Sequence, residues 1–298
     1  MVGFGATPRP PQRLTFSQGD AIGLLNSSLE LDVNDALPLG VSPLRSIDAV
    51  EQGLGEAGYI ANRQISTAIY MAHHLQKPIL VEGPAGVGKT ELAKSVASWL
   101  KLPLIRMQCY EGLDESKALY EWKYGKQLLY TQILKDKINS VIGDADDLTT
   151  ALDKLHSFGD VFFSRQFLEP RPLLRSLQEP GGSVLLIDEI DKSDQEFEAF
   201  LLEILSDYQV TVPELGTVTA RQIPPVFLTS NNSRDLSEAL KRRCLYLHID
   251  YPSIEREREI VLARVPGISE HLATQLSQVI RSLRSLDIKK KPSVSETL

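Results

Sequence analysis

Two cysteines in 298 residues, Cys109 and Cys244, are too few for a disulfide framework. Neither has a C-x-x-C partner, which argues against a metal cage and for packed free thiols. No apolar run approaches the roughly eighteen residues that suggest a membrane-spanning helix. The first twenty residues hold Arg9, Arg13 and three prolines and lack the apolar centre of a secretory signal. The cytoplasm is therefore the expected compartment. An excess of positive charge is missing too. The formal net charge of −7 gives no general attraction to phosphate polymers, so nucleic acid is disfavoured despite local patches at Lys241-Arg242-Arg243 and Lys289-Lys290-Lys291.

What the chain does have is 42% apolar residues, enough to bury a substantial core. Residues 1–45 are rich in Gly, Pro, Ser and Asn without a sustained period and are expected to be a loosely ordered extension. From Asn62 the apolar residues Ile65, Ala68, Ile69, Ala72 and Leu75 recur at helical spacing, and "KPILVEG" then supplies a short buried strand. A helix at about 89–100 and the strand-like "LIRMQCY" complete a β-α-β unit, which implies a parallel sheet covered by helices. Residues 125–182 suggest helices near 127–141, 146–157 and 171–178, with an insertion at about 125–165 ahead of the strand "SVLLID". A helix at 194–207, a hairpin at about 209–222 and the strand "PVFLTSN" follow. Pro252 marks a change to helices at about 253–264 and 269–285, so residues 46–251 are expected to form the core and 252–298 a small helical domain, whose closing "KPSVSETL" resembles the start of a further helix and suggests an incomplete lid.

"GPAGVGKT", Gly83 to Thr90, matches G-x-x-x-x-G-K-[ST] between a strand and a helix, the context in which that pattern cradles phosphate. The loop set is Gly83, Pro84, Ala85, Gly86, Val87, Gly88, Lys89 and Thr90, with Glu91 next on the helix. Lys89 would reach the β- and γ-phosphates of ATP, and the Thr90 hydroxyl suits Mg²⁺, a hard cation that prefers oxygen. "LLIDEID" ends a core-like strand in acids. Beside a phosphate loop, Asp188 belongs on the magnesium and Glu189 on a water aimed at the γ-phosphate. The bland alternative is that both cap the next helix. Asp191 and Asp194 read as helix-start caps and solvated charges. In "FLTSNNSRD" another strand ends in polar residues, where Asn231 would hold the water or sense the γ-phosphate, or would merely sit in a turn. Arg243, in "LKRRC", either serves the helix dipole or stabilises phosphoryl-transfer charge from a neighbouring subunit.

Taken in order, "GPAGVGKT", "LLIDEID", "TSN" and "ALKRRC" resemble the AAA+ ATPases over roughly residues 45–298. "QCYEGLDESKALYEW", "DQEFEAFLLEILSDYQVTVPELGTV" and "TSNNSRDLSEALKRRCLYLHIDYP" are similar to the MoxR branch, specifically to CoxD-like proteins encoded with carbon monoxide dehydrogenase-type molybdenum enzymes. The resemblance implies a doubly wound P-loop ATPase domain with a helical lid, assembled as a ring, usually a hexamer, with ATP at subunit boundaries. It matches Lys89, Thr90, Asp188, Glu189 and Asn231 to nucleotide-handling positions and Arg243, with Arg242 as its rival, to a trans-acting arginine finger. It also implies a von Willebrand factor A-domain partner protein and a molybdenum hydroxylase client. Relatives often carry a second sensor arginine in the last lid helix; here that stretch reads "KKPSVSETL", leaving Arg281, Arg284 or a lysine of 289–291 as substitutes.

The expected activity is thus hydrolysis of MgATP coupled to maturation or metal-cofactor assembly of a molybdenum hydroxylase. The alternative is a AAA+ motor or loader acting on nucleic acid. A small-molecule phosphotransferase and a non-hydrolysing nucleotide-gated module are less favoured, because Asp188, Glu189, Asn231 and the cationic cluster favour water as the acceptor.

Overall fold

The structure is a computed structural model and describes residues 43–143, 164–213, 215–286 and 291–298. The expected extension up to residue 42 and the expected helix at 146–157 lie outside the described residues, as do Lys289 and Lys290.

Five parallel strands form the central sheet: β1 (Ile79–Glu82), β2 (Leu104–Gln108), β5 (Val184–Asp188), β8 (Val226–Ser230) and β9 (Leu245–His248), in the order β2-β5-β8-β1-β9. Every residue of β1, β5 and β8 is buried. The two faces of each strand feed different halves of the core, as parallel sheets covered on both sides require. Leu185, Ile187 and Leu228 pack with α6 (Pro172–Gln178) and α7 (Gln195–Asp207). Val184, Leu186 and Phe227 pack with α1 (Ile47–Glu56), α2 (Arg63–Leu75) and α3 (Lys89–Leu100).

Register sets the ends of these strands level. Gln108 of β2 stands opposite Asp188 of β5, and Glu82 of β1 opposite Ser230 of β8. The carboxyl ends of β1, β5 and β8 thereby form one edge, the crevice where open α/β sheets bind ligands.

Sequence reading missed three pieces. Helix α1 is capped by Ser46, whose hydroxyl accepts from Ala49 N, and buries Val50 and Leu54 one turn apart; its signal was legible but short. The short α4 (Glu115–Ala118) and the antiparallel pair β3 (Tyr120–Trp122) and β4 (Leu168–Pro170) bracket α5 (Tyr124–Gly143), the described part of the expected insertion. Strands of three residues carry too little periodicity to be seen locally. The hairpin consists of β6 (Gln209–Val212) and β7 (Gly216–Thr219). After α8 (Glu238–Arg243) and β9, the described residues include the helices α9 (Ile254–Arg264), α10 (Glu270–Ser285) and α11 (Val294–Thr297).

Candidate functional site

The phosphate loop is shaped by close backbone approach. A side chain at Gly83 (φ 151°) would lie 1.9 Å from the carbonyl oxygen of Ile249, and one at Gly86 (φ 75°) would lie 2.2 Å from Ser293 Cβ. Only glycine fits either position. Lys89, the first residue of α3, is 6% exposed and donates to Gly83 O and Pro84 O, both at 2.7 Å, and to Asn231 Oδ1 at 2.8 Å. Burial pulls its ammonium below the ordinary lysine range, and the carboxylates of Asp191, Asp188 and Glu189 draw it back.

Asn231 bridges two expected site residues. Its oxygen accepts from Lys89, and its NH₂ lies 3.4 Å from Glu189 Oε1. Glu189 also accepts from Gln108 Nε2 at 2.7 Å and pairs with Lys192 at 2.6 Å. Its backbone is left-handed (φ 57°), a conformation that costs a non-glycine residue and concentrates at functional sites. The turn is held by Thr229, whose hydroxyl accepts from Glu189 N at 2.9 Å and donates to Asp188 Oδ1 at 2.5 Å.

Asp188 is 3% exposed and lies on the same side of the sheet as α3, so the Thr90 hydroxyl reaches its Oδ1 at 3.1 Å. A hydroxyl and a carboxylate side by side are the oxygen donors that a hard divalent cation takes, with waters and phosphate oxygens filling its other positions. The residues present therefore fit such an ion. Arg106 of β2, unremarked in the sequence, also binds Asp188, from its Nε at 3.1 Å and a terminal nitrogen at 2.6 Å.

Asp191 departs from expectation. It is 3% exposed, neither a helix cap nor a solvated charge, and accepts from Ser233 N at 3.0 Å and Ser233 Oγ at 2.6 Å. Burial works to raise its carboxyl, but the bonds from Ser233 and from backbone amides prevail and hold it below the ordinary value. Asp194 does cap α7, accepting from Phe197 N at 2.9 Å. Arg234 braces the same loop through Ser193 O and the buried Glu198, 2.5 Å away.

Beside the phosphate loop lies a cavity of about 720 Å³, within the range of small-ligand sites. Tyr59, Ile60, Val87, Ile249, Tyr251 and Val294 supply much of its wall, and Glu91 and Arg264 meet at 2.8 Å on its border. Of the arginines raised as lid sensors, Arg284 is spent. It is 6% exposed and forms a forked pair with the buried Glu257 at 2.6 and 2.8 Å.

Arg242 and Arg243 end α8 and are exposed; among the described residues no hydrogen bond joins Arg243 to the cluster around Lys89. Cys109 and Cys244 are buried free thiols, each pushed up to about 12, by burial above all. Such thiols are inert packing groups.

This arrangement has relatives. Denitrification regulatory protein NirQ of Pseudomonas aeruginosa is 24% identical over 218 residues, covering 70% of this chain and 68% of that protein. NirQ of Stutzerimonas stutzeri is 22% identical, with 70% and 64% covered, so the chain spans about two thirds of these relatives. Midasin of Giardia intestinalis is 26% identical over 224 residues, a match to 4% of its length. The family model of the AAA domain (dynein-related subfamily) matches residues 78–244, from the phosphate loop's strand to the end of α8. With more than half of its length matched, the chain belongs to the AAA domain family, dynein-related subfamily.

Proposed function

We propose that this protein hydrolyses MgATP and uses the cycle, in a ring of its own copies, to remodel a client protein. The observation that carries the hydrolytic reading is the continuous network from Lys89 through Asn231 to Glu189, with Asp188 and Thr90 alongside, at the level ends of three adjacent strands. On this reading ATP phosphates displace Gly83 O and Pro84 O from Lys89, because anionic oxygens make the stronger, charge-assisted bonds. Thr90 and Asp188 would hold Mg²⁺, which when bound would offset phosphate charge. Glu189 accepts a proton from water as the water oxygen bonds to the γ-phosphorus and the bond to the β-phosphate oxygen breaks, giving ADP and phosphate. Asn231 orients that water from the opposite side, and Arg243 serves the neighbouring subunit's nucleotide.

AAA family members form oligomeric rings, which supports the assembly in general but not a ring of six. The client, a molybdenum hydroxylase of the carbon monoxide dehydrogenase type, and a von Willebrand factor A-domain partner rest on the MoxR and CoxD-like stretches quoted above.

Glu189→Gln tests the chemistry. ATP binding should persist while phosphate release falls by roughly 10²- to 10⁴-fold, the usual worth of a positioned base. An unchanged rate would remove Glu189 from the role. The same variant, arrested with ATP, should co-purify with the client; recovery of neither a molybdenum enzyme nor a von Willebrand factor A-domain protein would count against that assignment.

A further inference from the structure

Asp188 is claimed by a cation that belongs to the chain itself. Its Oδ2 accepts two bonds from one guanidinium, that of Arg106, at 3.1 and 2.6 Å, and also faces the Thr90 hydroxyl at 3.4 Å, while Oδ1 accepts from Thr229 and, at 3.1 Å, from Thr90. The guanidinium is further steadied by Gln108 Oε1 at 2.8 Å. β2 is an edge strand of the sheet, and half of the Arg106 side chain is exposed against 4% for the Asp188 side chain. A buried carboxylate near Glu189 and Asp191 needs a counter-charge, and Arg106 supplies one without closing the site. An oxygen that holds two guanidinium bonds cannot also meet a divalent cation without giving up part of that interaction.

We propose that Arg106 is a specificity-determining competitor for the metal: it holds Asp188 against free divalent cations and yields only to metal that arrives already bound to nucleotide phosphates. The phosphates, gripped by the loop amides and Lys89, supply the binding energy that a bare ion lacks. Arg106, exposed and still partnered by Gln108, has somewhere to go. This inference rests on the reading of Asp188 as a metal ligand, and the experiment separates the two.

The full-length protein, free of nucleotide, is titrated with Mn²⁺, and free Mn²⁺ is read by electron paramagnetic resonance. Wild type should bind weakly. Arg106→Gln should bind about tenfold tighter or more, the order expected when a charge-assisted competitor is removed. Arg106→Lys, which keeps the charge but loses the fork, should lie between them and covers the case in which the glutamine variant does not fold. Circular dichroism and a thermal melt establish folding. Adding Asp188→Asn to either variant should abolish the gain. If Arg106→Gln and Arg106→Lys bind Mn²⁺ no better than wild type while Mn²⁺-ATP binding still depends on Asp188, the role of Arg106 is overturned and the metal reading survives. If the gain persists in the double variant, or Mn²⁺-ATP binding ignores Asp188, the metal reading itself falls.

Discussion

Asp191 and Asp194 look interchangeable in "DEIDKSD", yet one is sealed in and the other caps a helix. Local chemistry makes a cap legible: an acid before an apolar helical period accepts a free amide of the first turn. Nothing local distinguishes Asp191, because its partner Ser233 lies 42 positions away. The contacts of Arg106 and Thr229 with Asp188 were obscure for the same reason, since each is made from another strand, although the polar end that holds Thr229 was legible. Asp191→Ala should therefore destabilise the protein by about 1–3 kcal/mol in urea denaturation, the cost of leaving Ser233 unpaired. It should also slow ATP turnover by loosening the loop that carries Asn231. Because the Asp191 carboxyl is held below its ordinary value, its stabilisation is present at neutral pH and is lost as pH falls through that lowered value. The difference between wild type and mutant should shrink in acid; a difference independent of pH would argue against an ionised Asp191.

At the scale of elements, α11 is four residues long and cannot stand on propensity. It persists through a capping box between Ser293 and Glu296 and through Val294 N donating to Gly86 O at 3.1 Å. The phosphate loop and this last helix are thus one packed unit. Gly86→Ala must displace Ser293 and also strain a left-handed residue. We expect weaker binding of a fluorescent ATP analogue and faster amide exchange in residues 291–298, whereas Gly55→Ala, on open space in α1, should change neither. The long elements were readable because both faces of β1, β5 and β8 demand apolar residues and helices repeat every 3.6 positions. The β3–β4 pair escaped, being joined across more than forty residues of chain.

Across the molecule, Glu257, Arg284 and Thr297 tie three C-terminal helices together: Thr297 donates to Glu257 Oε1 at 2.8 Å and Arg284 to Pro292 O at 2.8 Å. Arg284 also lies over the Tyr251 ring, 4.5 Å away, at the border of the nucleotide-sized cavity. Removing one partner of a buried pair leaves an uncompensated charge, so Arg284→Met should cost about 3–5 kcal/mol and weaken nucleotide binding. Arg284→Met with Glu257→Leu should recover part of the stability without the binding; full recovery of both would show the pair to be dispensable to the site. The sequence by itself determined the parallel α/β class, the phosphate loop and the acids ending β5, because apolar period and motif spacing are local properties of the chain. Only the tertiary structure decided which oxygens Asp188 and Asp191 meet, where Arg106 and Arg284 spend their charge, and how the last helix reaches Gly86. Those contacts join residues tens to hundreds of positions apart, and strand register and burial, not neighbouring sequence, set them.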